Sequence, residues 1–233
     1  MKQDQIPIVI PVYNPPHEFE PFIRDVSHSL PNPIVCVNDG SDRRHRALFQ
    51  RVKKLPHVIL LTSVANRGKG AALQLAFSEI LSRLPDAPGA VTADADGQHT
   101  VFDIQQALTF ATRHATRLGI GTRTKRHVMP IKSRTGNALT RITLSLLHKA
   151  WVRDTQSGLR YVPRLLMADT LLSMFSKYDC ELDMLIRAVR LPLVIDEFEI
   201  STIYLNKNRA SHYKVVSDSV FVAKVFLHYV RQK

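Results

Sequence analysis

The chain has 233 residues, enough for one large α/β domain with a substantial core or for two small ones. Hydrophobic residues make up 45% and charged residues 22%, a soluble balance, and no run approaches the roughly 18–20 apolar residues that span a bilayer. Lysine and arginine number 32 against 20 acidic residues, and the resulting net charge of +12 favours polyanionic partners: nucleic acid, phosphorylated ligands or an anionic membrane surface.

The first residues do not read as a secretory signal, because Asp4 precedes an apolar stretch, Ile6–Val12, that two prolines interrupt. Cys36 and Cys180 stand far apart, Cys36 within an apolar run, and read as free core thiols of a reducing compartment. A cytoplasmic protein is expected.

Apolar runs at Ile6–Val12, Ile34–Val37, Val58–Leu61, Ala90–Ala93 and Leu118–Gly121 predict strands. Helical stretches alternate with them near Glu18–Leu30, Arg43–Lys54, Lys69–Leu84 and Phe102–Thr116. That alternation predicts an α/β fold with a mostly parallel central sheet covered by helices on both faces. The second half is less regular and predicts a small mixed part. A basic loop over Arg123–Lys132 precedes a helix from Ser133 to Ala150, then a strand at Leu159–Val162 and helices near Arg164–Met174 and Cys180–Arg190. A strand near Val194–Tyr204 and an amphipathic basic helix over Tyr213–Val230 complete it. With no repeat or linker, one domain over 1–233 is the economical reading.

In open parallel sheets the ligand crevice lies outside the carboxyl ends of the strands. Polar segments follow four predicted strands in turn: Tyr13-Asn14, Asn38-Asp39-Gly40-Ser41, Asn66-Arg67-Gly68-Lys69-Gly70 and Asp94-Ala95-Asp96. In extended backbone Asp94 and Asp96 would point the same way, and two converging carboxylates suit a hard cation such as Mg²⁺ or Mn²⁺. A polar turn at a strand end would also place Asp and Gly there. Asp39 could accept bonds from a base or a ribose, or could belong to a plain Asp-Gly turn. Lys69 and the amides before it could meet anionic oxygens, or form a basic helix cap.

Six segments carry a resemblance: Pro11-Val12-Tyr13-Asn14, Val37-Asn38-Asp39-Gly40-Ser41, Asn66-Arg67-Gly68-Lys69-Gly70, Asp94-Ala95-Asp96-Gly97-Gln98-His99, Gly121-Thr122-Arg123 and Asp154-Thr155-Gln156-Ser157-Gly158-Leu159-Arg160. With Ile203-Tyr204, Ser211-His212-Tyr213 and Asp218 after them, they stand in the order seen in family 2 glycosyltransferases. The chain most resembles the polyprenyl-phosphate branch, which includes dolichyl-phosphate mannose synthase, from about Ile6 to Phe221.

The resemblance implies a GT-A (Rossmann-like) fold, a nucleotide-sugar donor (a UDP- or GDP-sugar), Mg²⁺ or Mn²⁺, and inversion at the anomeric carbon. Residues 1–121 would form the nucleotide-sugar-binding part and 122–233 the acceptor-binding part with the C-terminal helix. Carried across by position, Pro11, Tyr13, Asn14, Val37, Asp39, Lys69, Asp94, Ala95, Arg209 and His212 would bind the donor. Asp94, Asp96 and Gln98 would hold the metal, Asp96, Arg123 and Asp154 would serve catalysis, and Arg123, Lys132 and Arg134 would receive the acceptor phosphate. Implied partners are the donor, a polyprenyl-phosphate acceptor and the anionic inner face of the cytoplasmic membrane, with a separate membrane protein as a further candidate and no nucleic acid.

Pro15 stands where the branch often has an acidic residue, and the transmembrane helices of many relatives are missing; the missing Gln-x-x-Arg-Trp signature of processive synthases implies transfer of a single sugar. A hydroxyl acceptor on the same fold is the nearest alternative and would need a base, for which Asp154 is the candidate. A sugar-phosphate nucleotidyltransferase would show a glycine-rich N-terminal loop, which is missing. A basic nucleic-acid-binding protein is disfavoured by 7% aromatic content and the lack of a binding motif.

Overall fold

The computed structural model of the protein describes residues 2–123, 152–155, 157–175, 179–201 and 229. Among these, seven strands join one sheet: β1 (Ile8–Val12), β2 (Ile34–Asn38), β3 (Val58–Thr62), β4 (Gly89–Thr92), β5 (Leu118–Arg123), β6 (Arg160–Pro163) and β7 (Ile195–Ile200). The helices are α1 (Phe19–Ser29), α2 (Arg46–Val52), α3 (Lys69–Arg83), α4 (Val101–Arg113), α5 (Arg164–Thr170) and α6 (Cys180–Arg190). The helix expected over Ser133–Ala150, most of the loop before it and the segment Tyr213–Val230, Tyr229 excepted, lie outside the described residues.

Two expected helices are shorter than their apolar pattern. Arg43–Lys54 divides into a 3₁₀ turn, Arg43–His45, and α2. The helix expected to reach Met174 stops at Thr170, where the Leu171 and Leu172 amides donate to Ala168 and Asp169 carbonyls in tight three-residue turns.

The strand order is β3-β2-β1-β4-β6-β5-β7, parallel throughout except that β6 runs antiparallel to both neighbours. The carboxyl ends of the other six strands and the entry to β6 therefore share one rim. Strand alternation divides the core in two. Ile8, Ile10, Ile34, Cys36 and Val91 face the side packed by α1, α2 and α4, whereas Val9, Val35, Val37 and Ala90 face α3, α5 and α6. Both cysteines are free and buried, and burial pushes the Cys36 thiol up to about 12.

The order reverses between β1 and β4, the switch point where crevices open in such sheets. The carbonyls of Pro7 and Val9 accept from the Val91 and Ala93 amides. The next residue on that side of β1 is Pro11, which has no N–H to continue the ladder. β1 stays paired with β2 through Val12, so β1 and β4 part beyond Val9 and leave a crevice between their ends.

Candidate active site at the strand rim

Hydrogen bonds tie the exits of β1, β2 and β3 together. Asp39, buried just past β2, accepts the Arg67 amide at 3.0 Å on Oδ1 and the Gly68 amide at 2.8 Å on Oδ2. Its carboxylate thus shapes the loop that opens α3. Gly40, at φ +68°, lies against that loop, and a Cβ there would stand 2.3 Å from the Ala65 carbonyl carbon. The Asn14 amide donates to Ser41 Oγ at 2.9 Å, the Ser41 amide to Asn38 Oδ1 at 2.9 Å, and the Asp42 amide to Asn14 Oδ1 at 2.9 Å. Tyr13 is left 45% exposed on this frame, in the first of the rim segments. Pro11 is half-buried, and Val37 is wholly within the core, paired with β1 and β3 on either side.

The Asp94–Asp96 pair sits one step further out than the extended-strand argument places it. β4 ends at Thr92, and Ala95–Asp96 form a turn closed by the Gln98 amide, which donates to Asp96 Oδ1 at 3.0 Å. Gly97 takes φ +76° to complete it. What brings the carboxylates together is this turn, not the strand period.

The two carboxylates differ in environment. Burial would raise Asp94, but Lys69 outweighs it and, with His99, holds the carboxyl far below the usual range. Burial and then the Asp94 charge push Asp96 up. Lys69 Nζ lies 2.6 Å from Asp94 Oδ1 and 2.6 Å from Glu181 Oε1 at the start of α6. Burial opposes its charge, but the two carboxylates overcome this and keep the ammonium above the usual lysine range. His99 is buried with Nε2 3.8 Å from Asp94 Oδ2, an electrostatic contact too long for a hydrogen bond.

On the far side, Arg123 at the end of β5 reaches Asp154 at 3.7 Å, with Asp154 1% exposed. The loop carrying Asp154 is built around Arg160, also 1% exposed. Its guanidinium donates to the carbonyls of Ser157 at 2.9 Å, Thr155 at 2.8 Å and Glu181 at 2.8 Å. Thr92 Oγ1 donates to the Gly158 carbonyl at 2.8 Å, which presses that glycine toward Asp94.

A hard divalent cation suits the carboxylate of Asp96, which burial and then the Asp94 charge make costly to ionise alone, with Gln98 following in the same turn. Among the described residues no group of three or more His, Cys, Asp or Glu side chains could hold a metal alone. The remaining ligands would have to be phosphate oxygens and water, as is usual for Mg²⁺-type sites. The structure thus brings Tyr13, Asn14, Asp39, Lys69, Asp94, Asp96, Gln98, Arg123 and Asp154 to one rim. Lys132, Arg134, Arg209 and His212 lie outside the described residues. Sequence reasoning missed Glu181, because an acid in a helix's first turn is common for the dipole alone. It also missed the spacing role of Gly158.

The fold is that of a GT-A glycosyltransferase, and residues 8–156 match the pattern of glycosyl transferase family 2. The chain belongs to that family. It is 28% identical to a UDP-N-acetylglucosamine–dolichyl-phosphate N-acetylglucosaminyltransferase of Methanococcus voltae, over 90% of this chain and 90% of that protein. It is 25% identical to the dolichyl-phosphate beta-glucosyltransferase ALG5A of Trichomonas vaginalis, over 83% of this chain and 64% of that protein. Among solved structures, glucosyl-3-phosphoglycerate synthase from Mycobacterium tuberculosis, in complex with Mn²⁺, UDP and phosphoglyceric acid, superposes with a TM-score of 0.67 at 14% identity. That match covers 94% of this chain and 75% of the other. No helix of the described residues is long and apolar enough to cross a membrane.

Proposed function

We propose that the protein moves a single sugar, with inversion, from a nucleotide-sugar donor to a polyprenyl phosphate at the inner face of the cytoplasmic membrane. The whole chain acts as one unit, with residues 1–121 binding the donor and the remainder receiving the acceptor. The acceptor reading is carried by one observation: Asp154, the candidate base, is buried and faces Arg123 at 3.7 Å. Glu181 is likewise held by Lys69. A phosphate-monoester acceptor is already anionic near neutral pH and needs cations to position it rather than a base.

In this reading Tyr13 offers its face to the base, and the loop shaped by Asp39 lines the nucleoside. Asp94, Asp96 and Gln98 would hold a divalent cation, whose charge offsets that developing on the leaving diphosphate. Arg123, oriented by Asp154, meets phosphate oxygens and steadies acceptor and donor against their mutual repulsion. The acceptor oxygen forms its bond to the anomeric carbon as the bond to the diphosphate breaks, and the nucleoside diphosphate departs with the electron pair. Lys132, Arg134 and the basic C-terminal segment supply charge for an anionic bilayer and its lipid phosphate.

A thermal-shift panel of UDP-, GDP-, CDP- and dTDP-sugars with and without Mn²⁺ tests the donor half. Stabilisation by one nucleotide family, lost in chelator and in Asp96→Ala, is expected. The absence of any metal-dependent shift would overturn it.

A further inference from the structure

Lys69 opens α3, Asp94 follows β4 and Glu181 opens α6, so three separate elements converge on one ammonium. Both carboxylates lie 2.6 Å from Nζ, and the three side chains are only 16%, 29% and 13% exposed. An ammonium has three protons and no acceptor, and two of its protons are committed here. The other face of Asp94 is filled by Gly158 and approached by His99. Asp94 is therefore already neutralised by a cation that the chain itself supplies. A divalent ion on the same carboxylate would be strongly repelled by that ammonium in so enclosed a place. Glu181 offers the ammonium a second carboxylate, 2.6 Å from Nζ.

Building on the metal-dependent reading above, we infer that Lys69 is a resident counter-ion that competes with the divalent cation for Asp94. Glu181 is the positioning residue that takes Lys69 over when the cation enters. The pair keeps the carboxylates in place before substrate arrives. It also makes the nucleotide-free site a weak metal binder, so that the cation is held well only with the donor diphosphate, whose charge favours the exchange.

The test is Mn²⁺ binding to the nucleotide-free chain, followed by the EPR signal of free Mn²⁺, with thermal melts confirming that each variant is folded. Lys69→Gln is expected to bind Mn²⁺ about tenfold more tightly than the wild type, because the competitor is gone. Glu181→Gln is expected to bind about tenfold more weakly, because Lys69 then has only Asp94. The double variant should resemble Lys69→Gln, since Glu181 acts through Lys69. Glu181→Asp, which keeps the charge but shortens the reach, should weaken binding as Glu181→Gln does; it decides the matter if the glutamine variant does not fold. Unchanged or weaker binding in Lys69→Gln overturns the inference, as does an equal effect of Glu181→Gln in both backgrounds, which would mark a simple field effect. If Mn²⁺ binding is insensitive to Asp96→Ala throughout, the metal reading itself fails and the inference with it.

Discussion

Gly158 touches Asp94: a Cβ built on the glycine would stand 2.1 Å from Asp94 Oδ2. The glycine's torsion is not in the left-handed region, so space alone excludes a side chain here. Gly158→Ala must push the carboxylate away from Lys69 or push β6 away from β4. Transfer activity should fall about 100-fold, the effect of an ångström-scale misplacement. Stability should fall by only about 1–3 kcal/mol, typical of overpacking. Single-turnover rates and urea denaturation on the same preparation separate the two effects; a fully active alanine variant would show that Asp94 need not be held there.

Arg160 is a structural cation that reaches the site through its neighbours. Its planar fork spans three carbonyls, and those of Ser157 and Glu181 flank the Asp94–Lys69–Glu181 cluster. Lysine carries the same charge from a single point and cannot bridge all three. Arg160→Lys is expected to cost about 3 kcal/mol in equilibrium unfolding, because buried carbonyls lose partners. Wild-type stability in this variant would contradict the assignment.

Asp103 links the turn after Gln98 to the end of β7. Its Oδ2 accepts from the Thr100 amide and hydroxyl at 2.9 and 2.8 Å, and its Oδ1 accepts from the Ser201 amide at 2.8 Å. Burial would raise this carboxyl, but the bonds from Ser201 and Thr100 outweigh it and lower the pKa. A carboxyl lowered by folding contributes stability that is complete above its unfolded pKa of about 3.9 and is lost as pH falls toward the folded value. Asp103→Asn should therefore be less stable by about 1–2 kcal/mol at pH 7, with the gap narrowing between pH 5 and pH 3. Denaturation across that range checks the sign; a gap that widens in acid would contradict it.

Much of the frame was legible in the sequence because buried parallel strands are written as short runs of Val, Ile and Leu. Ile34–Val37 and Val58–Leu61 each fall one residue short of the observed strand. The rim followed from the polar residues after each run. The direction of β6 was not legible, since a four-residue apolar strand carries no mark of its orientation. The turn at Asp96 stood only as the alternative to an extended pair, since it depends on the Gln98 main-chain amide donating to the Asp96 side chain two residues back. Asp39 was open between a ligand-facing carboxylate and an Asp-Gly turn, and both its oxygens accept loop amides that no local pattern encodes. Glu181 was hidden because its partner Lys69 lies 112 residues away in the sequence, and no local pattern encodes that meeting.

The most direct test of the account is sugar transfer into lipid. The chain is incubated with polyprenyl-phosphate vesicles, Mn²⁺ and radiolabelled UDP-, GDP-, CDP- or dTDP-sugars, and the organic phase is counted. The account predicts label in the lipid phase with one donor family, released by mild acid and absent with chelator or Asp96→Ala. An unlabelled lipid phase with every donor, or label appearing only on a soluble hydroxyl acceptor, would contradict it.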